Sequence, residues 1–272
     1  MDFRLRSAAA ARQGVAVRAA ADGTVKRMRD GMDDVFVTPA TRSAVMRRGC
    51  GNSVLLDHGG GWRTIYCHLL KGSLTVRPGD AVHRGQRLGA VGYSGLAEFA
   101  HVHVMVMHQG AIVDPESGLR VGDACLPADT ASQPGSLGPG TLWDEPAAKA
   151  FAYHNGEFIG AGFAARKVSP GELEIDHRVA PPISTSKALL FYARLINLHA
   201  GDRIALSVNG PGGFAVKHVS QPLERNKATY VTFAGRPLRA ARWPSGAYEG
   251  QAELIRGSAV IARTALIRLT LP

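Results

Sequence analysis

Two β domains in series are the expectation from this 272-residue chain, and three observations carry it. Short runs rich in Val, Ile and Leu recur through residues 1–126, cut by Gly, Pro, Asp and Ser, and none shows a convincing helical period. Residues 127–142, PADTASQPGSLGPGTL, hold three Pro and three Gly among small polar residues. Such a stretch has too little to bury and reads as a linker. Residues 143–272 then carry about seven further strand patterns, the spacing of a β-sandwich of immunoglobulin-like size.

In the first half, strands are expected at 13–28, 51–57, 62–69, 73–77, 86–92 and 101–107. The long, weakly patterned stretch 29–49 reads as a surface excursion able to rim a cleft. GNSVLLD–HGGG–WRTIYCH folds back around His58 to Gly61. That brings Cys50 and Cys67 within about two residues of opposition, and a one-residue bulge closes the rest. A disulfide there implies an oxidising compartment, and two buried thiols are the alternative. Cys125 is left over from the bridge. In the second half, AFAYHNGEFIGAGF and RIALSVNGPGGFAVKHV each place an Asn-Gly turn between alternating runs, at 155–156 and 209–210. ALLFYARLINL, GAYEGQAELI and VIARTALIRLTL supply the remaining strands.

A composition of 45% hydrophobic and 20% charged residues is ordinary for a globular protein with proper cores. No stretch approaches the roughly 18 apolar residues that cross a membrane, so no transmembrane segment is expected. The alanine run after Arg4 and Arg6 is too short for a signal h-region, and Arg12 interrupts it, so the chain as written carries no export signal. The net charge of +10 suits an anionic partner such as nucleic acid or cell wall, and plain solubility charge is the favoured alternative. The arginines are dispersed without interleaved aromatics, which argues against nucleic acid.

FAHVHVMVM, residues 99–107, holds the most telling pair. On a strand, His101 and His103 project from one face while Val102 and Val104 project from the other. Two imidazoles so placed can share a metal ion, or one can bind it while the other handles protons. The bland alternative is a half-exposed strand that happens to carry two histidines.

Five blocks in order, GNSVLLDHGGGW, TIYCHL, VRPGDAVHRGQRLGAVGYSG, HVHV and IVDP, together resemble the lysostaphin-type (LytM-like) zinc endopeptidases of bacterial peptidoglycan. AAADGTV at 19–25 looks like the family's early strand. The resemblance covers roughly residues 1–116. It implies the duplicated β hybrid motif of that family, a Zn²⁺ cofactor, peptidoglycan peptide as substrate, and a periplasmic or extracellular location. By the same resemblance, His103 is a zinc ligand, and His68 and His101 are the catalytic pair. Asp2 falls where the Asp of the family's His-x3-Asp motif stands. Asn52 and Tyr66 are cleft candidates; Asn52 orients the site through a hydrogen bond or serves equally well in a turn, and Tyr66 lines the cleft or packs.

The motif's His would lie four residues before Asp2, ahead of Met1. A start further upstream accounts at once for the missing ligand and the missing leader. As written, the chain is expected to hold zinc weakly, because a catalytic zinc site commonly has three protein ligands and a water. A non-catalytic LytM-like module that binds or regulates wall hydrolases is the rival reading. VRPGDAVHRGQRLGAV also resembles carrier domains, but no exposed Lys stands at a hairpin tip to bear a prosthetic group. His58 is expected in the hairpin turn, and the C-terminal half is expected to position the protein without chemistry of its own.

Overall fold

The computed structural model describes residues 1–122, 140–150, 155–176 and 179–272. Most of the expected linker, Cys125, and the first arm of the hairpin expected at Asn155-Gly156 lie outside the described residues. The chain divides into two compact units, Met1–Tyr153 and His154–Pro272.

The first unit runs β1 (Asp2–Arg4), α1 (Ala8–Arg12), β2 (Ala16–Arg18), β3 (Gly23–Arg29), α2 (Arg42–Val45), β4 (Asn52–Gly59), β5 (Trp62–Leu69), β6 (Ala81–Val82), β7 (Arg87–Ala90), β8 (His101–His108), β9 (Ala111–Val113) and α3 (Glu145–Ala150). Seven strands form one sheet in the order β1-β8-β5-β4-β3-β6, with β9 on β8; β2 and β7 pair separately. One face of the sheet is apolar: Val25, Val54, Leu56, Tyr66, Val102 and Val104 interdigitate with Val17, Leu88 and Val91. The all-β expectation for this half is met by the sheet, although two short helices interrupt it. α1 forms because Ser7 caps the Ala10 N–H at 3.3 Å ahead of four alanines; one turn and a half is too short to show a period.

Three details depart from the expected strands. The run 13–28 splits into β2 and β3 around a turn at residues 19–22. Residues 73–77 are not a strand, although Val76 is buried and the Thr75 N–H bonds Leu88 O at 3.0 Å. Residues 140–150 go with the first unit: Trp143 packs edge-on to Phe3 at 6.2 Å and Asp144 pairs with Arg84, so the structure divides after Tyr153.

The β4–β5 hairpin turns on Gly59, Gly60 and Gly61, all at positive φ, where any side chain would strain the backbone. The register slips by a residue twice along this pair. Cys50 and Cys67 are joined in a disulfide with their Cα atoms 4.8 Å apart.

The second unit contains β10 (Glu157–Ala164), α4 (Pro170–Ile175), β11 (Ala188–Leu198), β12 (Arg203–Gly210), β13 (Phe214–Val219), β14 (Lys227–Pro237), β15 (Gly246–Arg256), β16 (Ala259–Arg263) and β17 (Ile267–Leu271). They form a three-stranded sheet, β10-β11-β14, and a five-stranded one, β13-β12-β15-β16 with β17 on β15. Phe163, Leu189, Phe191 and Leu195 from the first meet Ile204, Leu206, Tyr248 and Leu254 from the second in one core. The β12–β13 hairpin exists as expected, but Asn209 and Gly210 are paired strand residues. The turn is Pro211-Gly212-Gly213, with both glycines at positive φ.

Candidate active site

β8 lies between β1 and β5, and this order assembles the site. In register, Asp2 faces His103 and Arg4 faces His101 on one side, while Cys67 faces His103 on the other. Residues directly opposite in an antiparallel pair project from the same face. Asp2, His101 and His103 therefore share the face opposite to Val102 and Val104, as the alternation requires. His103 Nδ1 sits 2.6 Å from Asp2 Oδ1, and His101 Nε2 lies 3.8 Å from the same oxygen. The hydrogen bond from His103, working against the cost of burial, holds the Asp2 carboxyl below the usual carboxylate range.

His68 reaches this face by a different route. Strict alternation would put it beside Tyr66 on the core side, but its φ is 61°, a value few non-glycine residues adopt. The turned backbone brings its ring to 4.5 Å from that of His101 and 6.2 Å from that of His103, centroid to centroid. His68 Nδ1 donates to Ser94 O at 2.8 Å, and His101 Nδ1 donates to Phe99 O at 2.9 Å. A carbonyl only accepts, so the neutral rings carry their protons on Nδ1 and leave the Nε2 lone pairs free. Both residues are buried, at 7% and 5% exposure. Burial pushes His68 down to about 4 and lowers His101 as well, so both are neutral proton acceptors at pH 7.

Asn52 is fully buried and braces the site from behind. Its side chain accepts from the Met32 N–H at 2.8 Å and donates to Met32 O at 2.8 Å and Leu69 O at 3.1 Å. Ser94, equally buried, accepts from the Asn52 N–H at 2.9 Å and donates to Leu69 O at 2.8 Å. Gly51, at positive φ, permits the approach: a Cβ there would stand 2.4 Å from Ser94 O. The excursion 29–49 is pinned beside these residues, with Asp34 accepting from the Tyr93 and Lys71 N–H groups at 2.8 Å each. Asn52 is thus a strut, neither a turn residue nor a cleft wall. Tyr66 corrects the cleft expectation, since it is 2% exposed within the apolar core and its hydroxyl accepts from the Ala20 N–H at 2.8 Å.

His58 ties the hairpin to its neighbours, touching Asp22 O at 2.6 Å and Thr64 Oγ1 at 2.8 Å. His108 stacks on Trp62 at 4.2 Å. Sequence reasoning passed over Ser94, which orients His68, and Phe99, whose ring lies 4.5 Å from that of His101 with the Arg4 guanidinium 4.2 Å from its centroid. The available signal for Ser94 was its place between a Tyr and a Gly in the GYSG turn.

Among the described residues, two donors of the kinds zinc takes meet at the site. Asp2 and His103 supply a carboxylate oxygen and an imidazole nitrogen, the types this ion takes. Among the described residues, no three His, Cys, Asp or Glu side chains are grouped to hold a metal. The 2.6 Å separation is that of a hydrogen bond, whereas two donors on one tetrahedral zinc stand about 3.3 Å apart at bonds of roughly 2.0–2.1 Å.

Residues 7–115 match the description of peptidase family M23. An uncharacterised metalloprotease of Haemophilus influenzae is 32% identical over 103 residues, 38% of this chain and 18% of that protein. The peptidoglycan DD-endopeptidase ShyA of Vibrio cholerae is 38% identical over 64 residues, 24% of this chain and 14% of that protein. The chain therefore spans less than a fifth of the length of these two curated relatives. Among solved structures, the catalytic domain of lysostaphin from Staphylococcus simulans aligns over 42% of this chain and 72% of that one, at 24% identity and a TM-score of 0.31, too low to add weight. The ordered motif blocks and the all-β sheet that displays them agree with the match over residues 7–115, so the first unit is similar to peptidase family M23 across most of its length.

Proposed function

We propose that this protein is a zinc endopeptidase that hydrolyses peptide bonds of bacterial peptidoglycan, in the periplasm or outside the cell. The observation that carries the proposal is the pairing of Asp2 with His103 on the face that also bears His68 and His101. Asp2 and His103 are two of the ligands; in the family's pattern the third is a His four residues before Asp2. When bound, zinc supplies Lewis acidity and a water whose pKa is brought from about 15.7 toward 7.

The chain's own residues do the rest. His68 and His101 present bare Nε2 atoms to the same small volume. At neutral pH each takes a proton there, holds it, and gives it to a leaving amine. Their Nδ1–H bonds to Ser94 O and Phe99 O fix ring direction and tautomer before substrate arrives. The Cys50–Cys67 bridge favours an oxidising compartment. The second unit is proposed to position the enzyme on the wall.

A second reading is a non-catalytic LytM-like module that binds or regulates wall hydrolases. The test is release of new amino groups from purified peptidoglycan in the presence of Zn²⁺. The enzyme reading expects turnover that falls by about 10²–10⁴ in His101→Ala and is lost with chelator. Binding to the wall without any release, by a protein that holds zinc, selects the module.

A further inference from the structure

Most of the net positive charge lies in the second unit: residues 154–272 hold fifteen Lys and Arg against eight Asp and Glu, within a chain of net +10. Five of those acids are already engaged. Glu172, Glu174, Asp202, Glu249 and Glu253 pair with Arg166, Arg194, Arg256, Arg268 and Arg263. No described acid pairs with Arg236, Arg239 or Arg242 at salt-bridge distance, and these three arginines line one cavity of about 580 Å³. Its accessible apolar wall is Pro237, Leu238 and Pro244, and no Asp or Glu lines it.

The loop from β14 to β15 that carries two of these arginines is held at both ends. Leu238 N–H donates to Lys187 O at 2.8 Å and Trp243 N–H to Ser184 O at 2.8 Å. The Trp243 indole donates to Ser186 O at 2.8 Å, and the Tyr248 hydroxyl to Pro244 O at 2.9 Å. Arg236 spends one N–H on Ala215 O at 2.7 Å and lies 5.6 Å from the Phe214 centroid. An anchored loop fixes the backbone from which Arg239 and Arg242 extend, so less backbone entropy is lost on binding.

We propose that this cavity binds an acidic glycan, with the three arginines gripping its carboxylate or phosphate groups and the apolar wall packing against sugar rings. Guanidinium forks match both oxyanions bidentately. The volume lies in the range of small-ligand sites and far exceeds what a lone inorganic anion fills. Single-stranded nucleic acid fits worse. It needs exposed rings on which bases stack, and Phe214 and Trp243 are 8% and 7% exposed. The proposal stands independently of any chemistry in the first unit.

Calorimetric titration of the full chain tests it, with oligogalacturonate as the carboxylated probe, phosphomannan as the phosphorylated one, and inorganic phosphate, neutral chito-oligosaccharide and oligothymidylate as comparisons. The expected result is binding of one or both acidic polymers, weakened at least tenfold in the triple variant Arg236→Gln/Arg239→Gln/Arg242→Gln. The charge-matched variant Lys217→Gln/Arg225→Gln/Lys227→Gln retains it. Which acidic polymer binds identifies the oxyanion. The proposal is overturned if neither binds, if the two triple variants lose binding equally, or if the neutral saccharide or oligothymidylate binds as tightly. All six positions are at the surface or partly so, and an unchanged melting temperature confirms that both variants fold.

Discussion

His68 stands in a conformation that its side chain does not favour, at φ 61°, and the reason is its task. Left-handed backbone costs a residue with a Cβ about 1–2 kcal/mol, and such outliers persist where surrounding contacts over-determine them. Here the contacts are the His68 N–H bond to Cys50 O at 2.8 Å and the ring bond to Ser94 O at 2.8 Å. The usual order of small substitutions is therefore expected to invert: His68→Gly unfolds at higher urea than His68→Ala, by about 1 kcal/mol. Equal stabilities would remove the strain from the account. Asn52→Ala leaves the Met32 N–H and O and Leu69 O without their side-chain partner, at a cost of about 2 kcal/mol, read from the same denaturation series. The two residues also mark where sequence reading reaches and stops. The shared face of His101 and His103 was legible because strand alternation dictates it. The turning of His68 away from Tyr66 was not, because alternation fails at a positive φ that no residue type announces.

At the scale of elements, the β4–β5 hairpin and β8 do most of the work. The bulges in the hairpin let Cys50 and Cys67 meet, and closing the 17-residue separation stabilises the hairpin by roughly 3 kcal/mol on loop-entropy grounds. Reduction, or Cys50→Ser with Cys67→Ser, is expected to lower the stability of the first unit by that order. Hydrogen exchange of the β4 and β5 amides reports it, and unchanged protection would contradict it. Strand positions 51–57, 62–69, 86–92 and 101–107 were legible because their hydrophobic runs are bounded by Gly, Pro and Asp. The turn after β12 was misplaced by two residues because Asn209-Gly210 is followed at once by Pro211-Gly212-Gly213, a stronger turn former for this register. β1, three residues long, carries Asp2 into the sheet beside β8; such a short strand has no periodicity to detect.

Across the whole molecule, the two units differ in what charge does for them. In the second, Asp202 is fully buried and takes both oxygens to the Arg256 guanidinium at 2.8 Å. Burial pushes its carboxyl up, but the hydrogen bonds from Arg256 and the His199 N–H outweigh it and leave the carboxyl below its ordinary value. A lowered folded-state pKa gives stability that is present above the unfolded value of about 3.9 and lost as pH falls below it. Asp202→Asn is expected to lower the melting temperature at pH 7, with the gap to the parent narrowing below about pH 4. A gap that does not change with pH would contradict this. In the first unit, ion pairs such as Lys71–Asp33 and Lys149–Glu145 lie at the surface instead.

The central claim is that Asp2 and His103 hold a catalytic zinc with one further donor. It is tested most directly by comparing the chain as it stands with one bearing a His four residues ahead of Asp2, each titrated with Zn²⁺ and incubated with purified peptidoglycan. The account predicts one tightly held ion and peptide-bond cleavage in the extended protein, weak binding and little turnover in the shorter one, and loss of both properties with His103→Ala. Equal zinc affinity in all three proteins, with no amino groups released by any, would contradict it.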